Sequence, residues 1–185
     1  CLIRYISGNK NKSMKKLFLL FIIVGCSTPT PTATVIGYEN ADETTLEITS
    51  GDVSSTEVVK AYFDAYNAKD LQAVYNLEHD DVVLYAPNGM TIESPQQHLE
   101  LGEQFLEANP VAKWEIVWSM SADVKYDNKP NENWVTSGLL VTYGKDEDSV
   151  STVSRVVDLM IVDGKVKKGY VYQRELSGAE KTSTE

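Results

Sequence analysis

Hydrophobic residues in this chain recur at two different periods, and the switch between them separates a helical front from a strand-rich back. In VSSTEVVKAYFDAYNAKD, residues 53–70, Val58, Tyr62, Ala65 and Tyr66 fall at helical spacing and form one apolar stripe, with Val59 and Phe63 beside it. Ser54 followed by Glu57 predicts a capping box, and Val53 with Val58 predicts a hydrophobic staple. Asp70 is placed to cap a shorter helix, LQAVYNLE, with His79 at its end. In HDDVVLYAPNGM, residues 79–90, two acids then lead into a short apolar strand that stops at a Pro-Asn-Gly turn. Ser94-Pro95-Gln96-Gln97 opens a third helix, which ends at Asn109-Pro110.

Beyond Pro110 the period becomes two. In WEIVWSMSADVKY, residues 114–126, Trp114, Ile116, Trp118, Met120, Ala122, Val124 and Tyr126 alternate with mostly polar residues, a run long enough to imply a strongly bent strand. NWVTSGLLVTYGKD, SVSTVSRVVDLMIV and KVKKGYVYQREL follow, the last two joined by an Asp163-Gly164 hairpin turn. Helices first and a meander afterwards predict an α+β domain, with three N-terminal helices packed on one face of a curved antiparallel sheet.

That domain is read as residues 51–176, the length of one folding unit. The tail, 177–185, is small and polar. Residues 26–50 are read as a tether: STPTPTAT lacks apolar periodicity, and 35–50 is an acidic, Thr-rich linker able to add an edge strand. In front of it, Met14 is followed by Lys15, Lys16, an apolar run from Leu17 to Val24, and Gly25-Cys26, the layout of a secretory signal. The run falls short of the roughly 20 apolar residues that a membrane span requires. Residues 1–25 are therefore expected to comprise upstream sequence and a signal peptide.

Charge and cysteine content narrow the chemistry. Five of 17 basic residues and none of 27 acidic ones precede Cys26, so removal of that segment leaves 12 against 27, a formal charge of −15. Nucleic acid and anionic surfaces are poor partners for such a chain. The only cysteines are Cys1 and Cys26, which leaves the domain without a disulfide, a zinc–thiolate site or a thiol nucleophile. Two histidines, His79 and His98, occur, and no His/Asp/Glu spacing matches a metal site. No cofactor is implied.

Two resemblances follow from these residues. Ile23-Val24-Gly25-Cys26 resembles the lipobox of bacterial lipoproteins, which implies lipidation at Cys26 and a membrane-anchored protein of the cell envelope. The absence of an acidic cluster after the cysteine points to the periplasmic side of the outer membrane. EVVKAYFDAYNAKDLQAVYNLEHDDVVLYAPNG, residues 57–89, and the closing VVDLMIVDGKVKKGYVY, residues 156–172, resemble the nuclear transport factor 2-like superfamily, which includes SnoaL-like polyketide cyclases and ketosteroid isomerases. The resemblance implies a cone-shaped fold whose pocket different members use for isomerisation, cyclisation, hydration, dimer contact or binding, so the activity has to be argued from the site.

Laid on the ketosteroid isomerase pattern, Tyr62 falls on the helix-one tyrosine that donates to the substrate oxygen, and Asp158 on the second oxyanion-hole residue. The apolar neighbours of Asp158 suit a protonated carboxyl, and by alternation Arg155 should lie on the opposite face of its strand. A structural bond from Asp158 to Tyr62 or Arg155 is the other reading. The position of the isomerase base falls on Ala86, which moves no proton. Asp80 and Asp81 are read as solvated, Tyr85 as a pocket-lining residue, and Tyr66 as either core packing or pocket wall. His98 is either a surface or capping residue or a base at the pocket mouth. Trp118 belongs to an aromatic stock that fills the core, lines a pocket or forms a sheet face for dimerisation.

The sequence thus supports a lipid-anchored, non-catalytic binding module for a small apolar or aromatic molecule or a protein partner, with Tyr62, Tyr66, Tyr85, Trp118 and Asp158 at the ligand, assembled as a homodimer. The alternatives are a SnoaL-like isomerase, cyclase or hydratase acting on a small polycyclic or ketone substrate, and a structural dimer subunit.

Overall fold

In the computed structural model, which describes residues 33–41, 44–177 and 180, the strands are β1 (Val35–Ala41), β2 (Thr44–Ser50), β3 (Glu78–Tyr85), β4 (Thr91–Ile92), β5 (Lys113–Val124), β6 (Glu132–Tyr143), β7 (Ser151–Val162) and β8 (Lys165–Glu175). The α-helices are α1 (Ser54–Asn67), α2 (Leu71–Asn76) and α3 (Pro95–Ala108), and a short 3₁₀ turn spans Glu147–Ser149. The chain divides into two units, Cys1–Pro31 and Thr32–Glu185, and every described residue belongs to the second. The apolar run 17–24 and Cys26 lie outside the described residues.

One eight-stranded sheet has the order β1-β2-β5-β6-β7-β8-β3-β4. The α+β class holds, and two details differ from expectation. The sheet is mixed, because β3 runs parallel to β8 while the other neighbours are antiparallel. The helices are not all N-terminal: a β1–β2 hairpin precedes α1, and β3 and β4 separate α2 from α3. Within 35–50, read as a linker able to add an edge strand, residues 35–41 and 44–50 form strands at the edge of the sheet. Thr-rich, alternating sequence pairs as β1–β2, and Ile48, Thr49 and Ser50 extend the sheet opposite Val124, Asp123 and Ala122 of β5. Gly51 permits the close approach, since a Cβ there would meet Ser121 Oγ at 2.4 Å and Ala122 N at 2.8 Å.

Helix starts follow side-chain chemistry. Ser94 Oγ accepts from Gln97 N–H at 3.2 Å, the Gln97 side chain accepts from Glu93 N–H at 2.8 Å, and Asp70 accepts from Ala73 N–H at 2.9 Å. The start of α1 differs. Val53 takes the cap position without a side-chain bond and is exposed, so neither capping box nor staple forms; Asp52 Oδ1 instead accepts from Ser54 N–H at 2.8 Å. Between β7 and β8, Asp163 and Gly164 both have positive φ, 51° and 73°, as the expected tight hairpin requires.

The helices cover one face of the sheet. Val59, Phe63 and Val74 pack with Val135, Leu139, Val141, Val153 and Val157 in a continuous core. On β5 the period-two pattern is broken by a bulge between Ile116 and Trp118. Trp114 and Ile116 pack against the core, but past the bulge Trp118 pairs with Gly138 and Met120 with Thr136, next to the buried Ser137. The extra residue reverses the phase, so Trp118 and Met120 face outward, 45 % and 56 % exposed.

Candidate functional site

Between α1, α3 and the sheet lies a cavity of about 600 Å³. Tyr62, Phe63 and Tyr66 come from α1, and His98, Leu101 and Phe105 from α3. The sheet contributes Trp114, Leu139, Arg155, Val157, Leu159, Val171 and Gln173, and Ala86, Pro87, Asn88 and Met90 supply a rim. The volume falls within the range of small-molecule sites. Trp118 and Trp134 lie outside its lining, and Trp134 stacks on Tyr170.

One wall carries a buried polar network. Glu78, 1 % exposed, is the first residue of β3 and shares inward parity with Val82 and Leu84. Its Oε1 accepts from the Tyr62 hydroxyl at 2.5 Å and lies 2.5 Å from His98 Nδ1. On the far side of the ring, Tyr66 Oη lies 2.7 Å from Nε2. With the Glu78 carboxylate as acceptor, Nδ1 carries the proton it donates and Nε2 accepts from the Tyr66 hydroxyl, which leaves Glu78 Oε2 as the atom of this group without a partner. Burial raises both phenols well above their ordinary range; the neighbouring Tyr66 and then Glu78 add to the effect at Tyr62, and Glu78 adds to it at Tyr66. Both therefore remain hydroxyl donors at physiological pH.

His98 is thus neither surface nor cap, with a side chain only 15 % exposed. Its helical spacing to Leu101 and Phe105 carried that signal. Glu78 was missed because LQAVYNLE reads as helix through residue 78, whereas α2 stops at Asn76 and β3 starts at Glu78. His79 consequently sits in β3, with its Nδ1 2.5 Å from Asp81, which also pairs with Lys167 at 3.1 Å.

Of the five expected ligand residues, Tyr62 and Tyr66 line the cavity and three do not. Tyr85 points outward and stacks on Tyr170, ring centroids 5.0 Å apart. Trp118 lies over Gly138 on the outer face, where a Cβ would meet its ring. Asp158 also faces outward, accepting from Thr136 Oγ1 at 2.8 Å, and makes no bond to Tyr62 or Arg155. The alternation on β7 is real but its phase is opposite to the family pattern's expectation. Val153, Val157, Leu159 and Ile161 are buried, and Arg155, of the same parity, lines the cavity. Because Val156 and Met160 make the other face apolar too, the sequence could not fix that phase. Arg155 donates through Nε to Gln173 at 2.9 Å, and burial lowers its pKa.

Comparison with known proteins agrees with this architecture. No curated protein matches the chain significantly. AclR of Streptomyces galilaeus is 20% identical over 67% of this chain and 91% of its own, with a TM-score of 0.53. Bal32a, from a soil-derived mobile gene cassette, is 12% identical over 69% of this chain and 94% of its own, with a TM-score of 0.54. A protein with a ketosteroid isomerase-like fold from Catenulispora acidiphila, solved in complex with trimethylamine, is 16% identical over 67% and 91%, with a TM-score of 0.53. At these identities the likeness is one of fold. The model of the SnoaL-like domain matches residues 59–167, from the apolar stripe of α1 into β8, and the chain belongs to the SnoaL-like domain family.

Proposed function

We propose that this domain is a binding module that seats a small, largely apolar ring-containing molecule in the cavity between α1, α3 and the sheet. The observation that carries the reading is a cavity of about 600 Å³ walled mainly by aromatic and aliphatic side chains, with polar groups at His98, the two tyrosines, Arg155 and Gln173 and further ones at Asn88, Gln104 and Asn109. Binding is favoured over turnover because both nitrogens of His98 are engaged, one by Glu78 and the other by Tyr66, and Ala86 stands where isomerases of this fold carry their base. The proposal extends to tethering through Cys26 at the periplasmic side of the outer membrane and to a homodimer formed through the outer sheet face.

The test is titration with N-phenyl-1-naphthylamine, a neutral aromatic probe whose emission rises in apolar surroundings. Saturable binding to the wild type that is lost in Ala86→Trp, which obstructs the rim, supports the reading. Absence of binding, or equal binding by the variant, refutes it.

A second reading, a SnoaL-like isomerase, cyclase or hydratase, is favoured by one observation. Glu78 holds a cavity-lining histidine at 2.5 Å while its own Oε2 stays buried without a hydrogen-bond partner. An incompletely satisfied buried carboxylate costs stability and is commoner at functional sites. If a ligand displaces the Tyr66 hydroxyl, Nε2 becomes a base oriented by Glu78. Turnover of a test ketone or polycyclic substrate that disappears in His98→Leu is the result that would select this reading.

A further inference from the structure

We infer that the ligand of this cavity is an aryl or polycyclic carboxylic acid, and that Arg155 and Gln173 hold its carboxylate against the sheet wall. The inference rests on the binding reading above and names the chemical class that the site takes.

The observation behind it is a cation lacking a counter-ion. Arg155 and Gln173 face each other in register on β7 and β8 and both line the cavity. The Arg155 side chain makes one hydrogen bond, Nε to Gln173 Oε1, and among the described residues no carboxylate lies within ion-pair distance of it. Lys60, Lys167 and Arg174 pair with Asp64, Asp81 and Glu180, and Lys69 and Lys165 are met by the backbone carbonyls of Ala112 and Glu78; Arg155 is the basic side chain that lines the cavity, and it has only Gln173. A guanidinium carries five N–H donors in a planar fork, so the four on its terminal nitrogens are left for a ligand. The Gln173 amide spends its oxygen on Arg155, which leaves its N–H groups as donors beside that fork.

Arg155 is half-buried beside the exposed Gln173, and even partial burial of a cation against apolar side chains is unfavourable unless an anion or several acceptors meet it. The nearby groups are phenols, Tyr66 and Tyr143, not acids. Burial accordingly pulls the Arg155 pKa down. A planar monoanion matches a single guanidinium bidentately, which a point-like or neutral polar group does not. The long-range field argues that such a contact must be local: a chain with 27 acidic and 17 basic residues repels anions at a distance, so one is retained only by donors inside the cavity. The aliphatic and aromatic walls, Leu139, Val157, Leu159 and Trp114 among them, then select a ring skeleton for the rest of the molecule.

The experiment is displacement of N-phenyl-1-naphthylamine by 2-naphthoate and by 2-naphthamide, which share a skeleton and differ in charge. In the wild type, 2-naphthoate is expected to compete at least about tenfold more strongly, as a charge-assisted bidentate pair would give. Arg155→Met and Arg155→Gln should bring the ratio to about one, Arg155→Lys should retain part of it, and Lys168→Met, which removes a charge from the outer face, should retain all of it. Binding of the neutral probe by each variant reports that its cavity is formed. A wild-type ratio near one, or a high ratio that persists in both neutral Arg155 variants, overturns the carboxylate assignment while leaving the binding module standing. Failure of the wild type to bind the probe overturns both.

Discussion

Glu78 Oε1 lies 2.5 Å from His98 Nδ1, joining the first residue of β3 to the second turn of α3 inside the cavity wall. The same oxygen accepts from Tyr62, so one buried carboxylate links α1, α3 and the sheet. Replacing Glu78 with Leu strands the Tyr62 hydroxyl and the His98 N–H, and should cost about 1–3 kcal/mol for each donor left unsatisfied. In a cycle with His98→Leu, urea unfolding should show the double variant less destabilised than the sum of the singles by about 1–2 kcal/mol. Strict additivity would mean that the two side chains do not act together.

Alkaline stability should report the buried phenols. The pKa values of Tyr62 and Tyr66 are raised in the folded state, so their contribution is fully present below the ordinary phenol value near 10 and is lost as pH rises above it, where the unfolded chain releases protons that the folded one keeps. Near-ultraviolet titration, with Tyr62→Phe and Tyr66→Phe to assign the signals, should find these two tyrosines un-ionised until the protein unfolds. Unfolding midpoints should fall with pH above 10, less steeply in Tyr66→Phe. Reversible ionisation of Tyr62 and Tyr66 in the folded state would contradict the network.

The outer sheet face exposes Trp118, Met120 and Tyr172 beside Tyr85. A homodimer through this face would bury about 800 Å² per partner, the usual scale of a specific interface. Sedimentation of residues 33–185 should give a dimer, and Trp118→Arg should shift it to monomer. A wild-type monomer at high concentration would count against the assembly.

The proposed lipid attachment rests on one sulfur atom. Cys26→Ser should abolish incorporation of a labelled fatty acid and move the protein out of the membrane fraction. A Cys26→Ser protein that still carries label would refute the anchor.

The apolar stripe Val58-Tyr62-Ala65-Tyr66, the Asp70 and Ser94 caps and the Asp163-Gly164 turn were legible because each is decided within a few residues by hydrogen bonding and period. The same local rules fixed the α+β class. Where the chain was read wrongly, two faces or two elements competed on equal local terms. Trp118 stayed in the apparent period of β5 until a single extra residue reversed it, and Asp158 sits in a run that is apolar on both faces.

The sequence by itself therefore determined the α+β class, the core stripe of α1 and the family to which the domain belongs. Tertiary structure alone decided the site. Glu78 and His98 are 20 residues apart, and Tyr66 and His98 are 32 apart; no local period relates them. Their meeting depends on how α1 and α3 cross the sheet, and the phase of β7 that turns Arg155 inward is set by pairing with β6 and β8. Strand phase is a collective property: each residue's facing follows from the register of its neighbours, which a single strand does not contain.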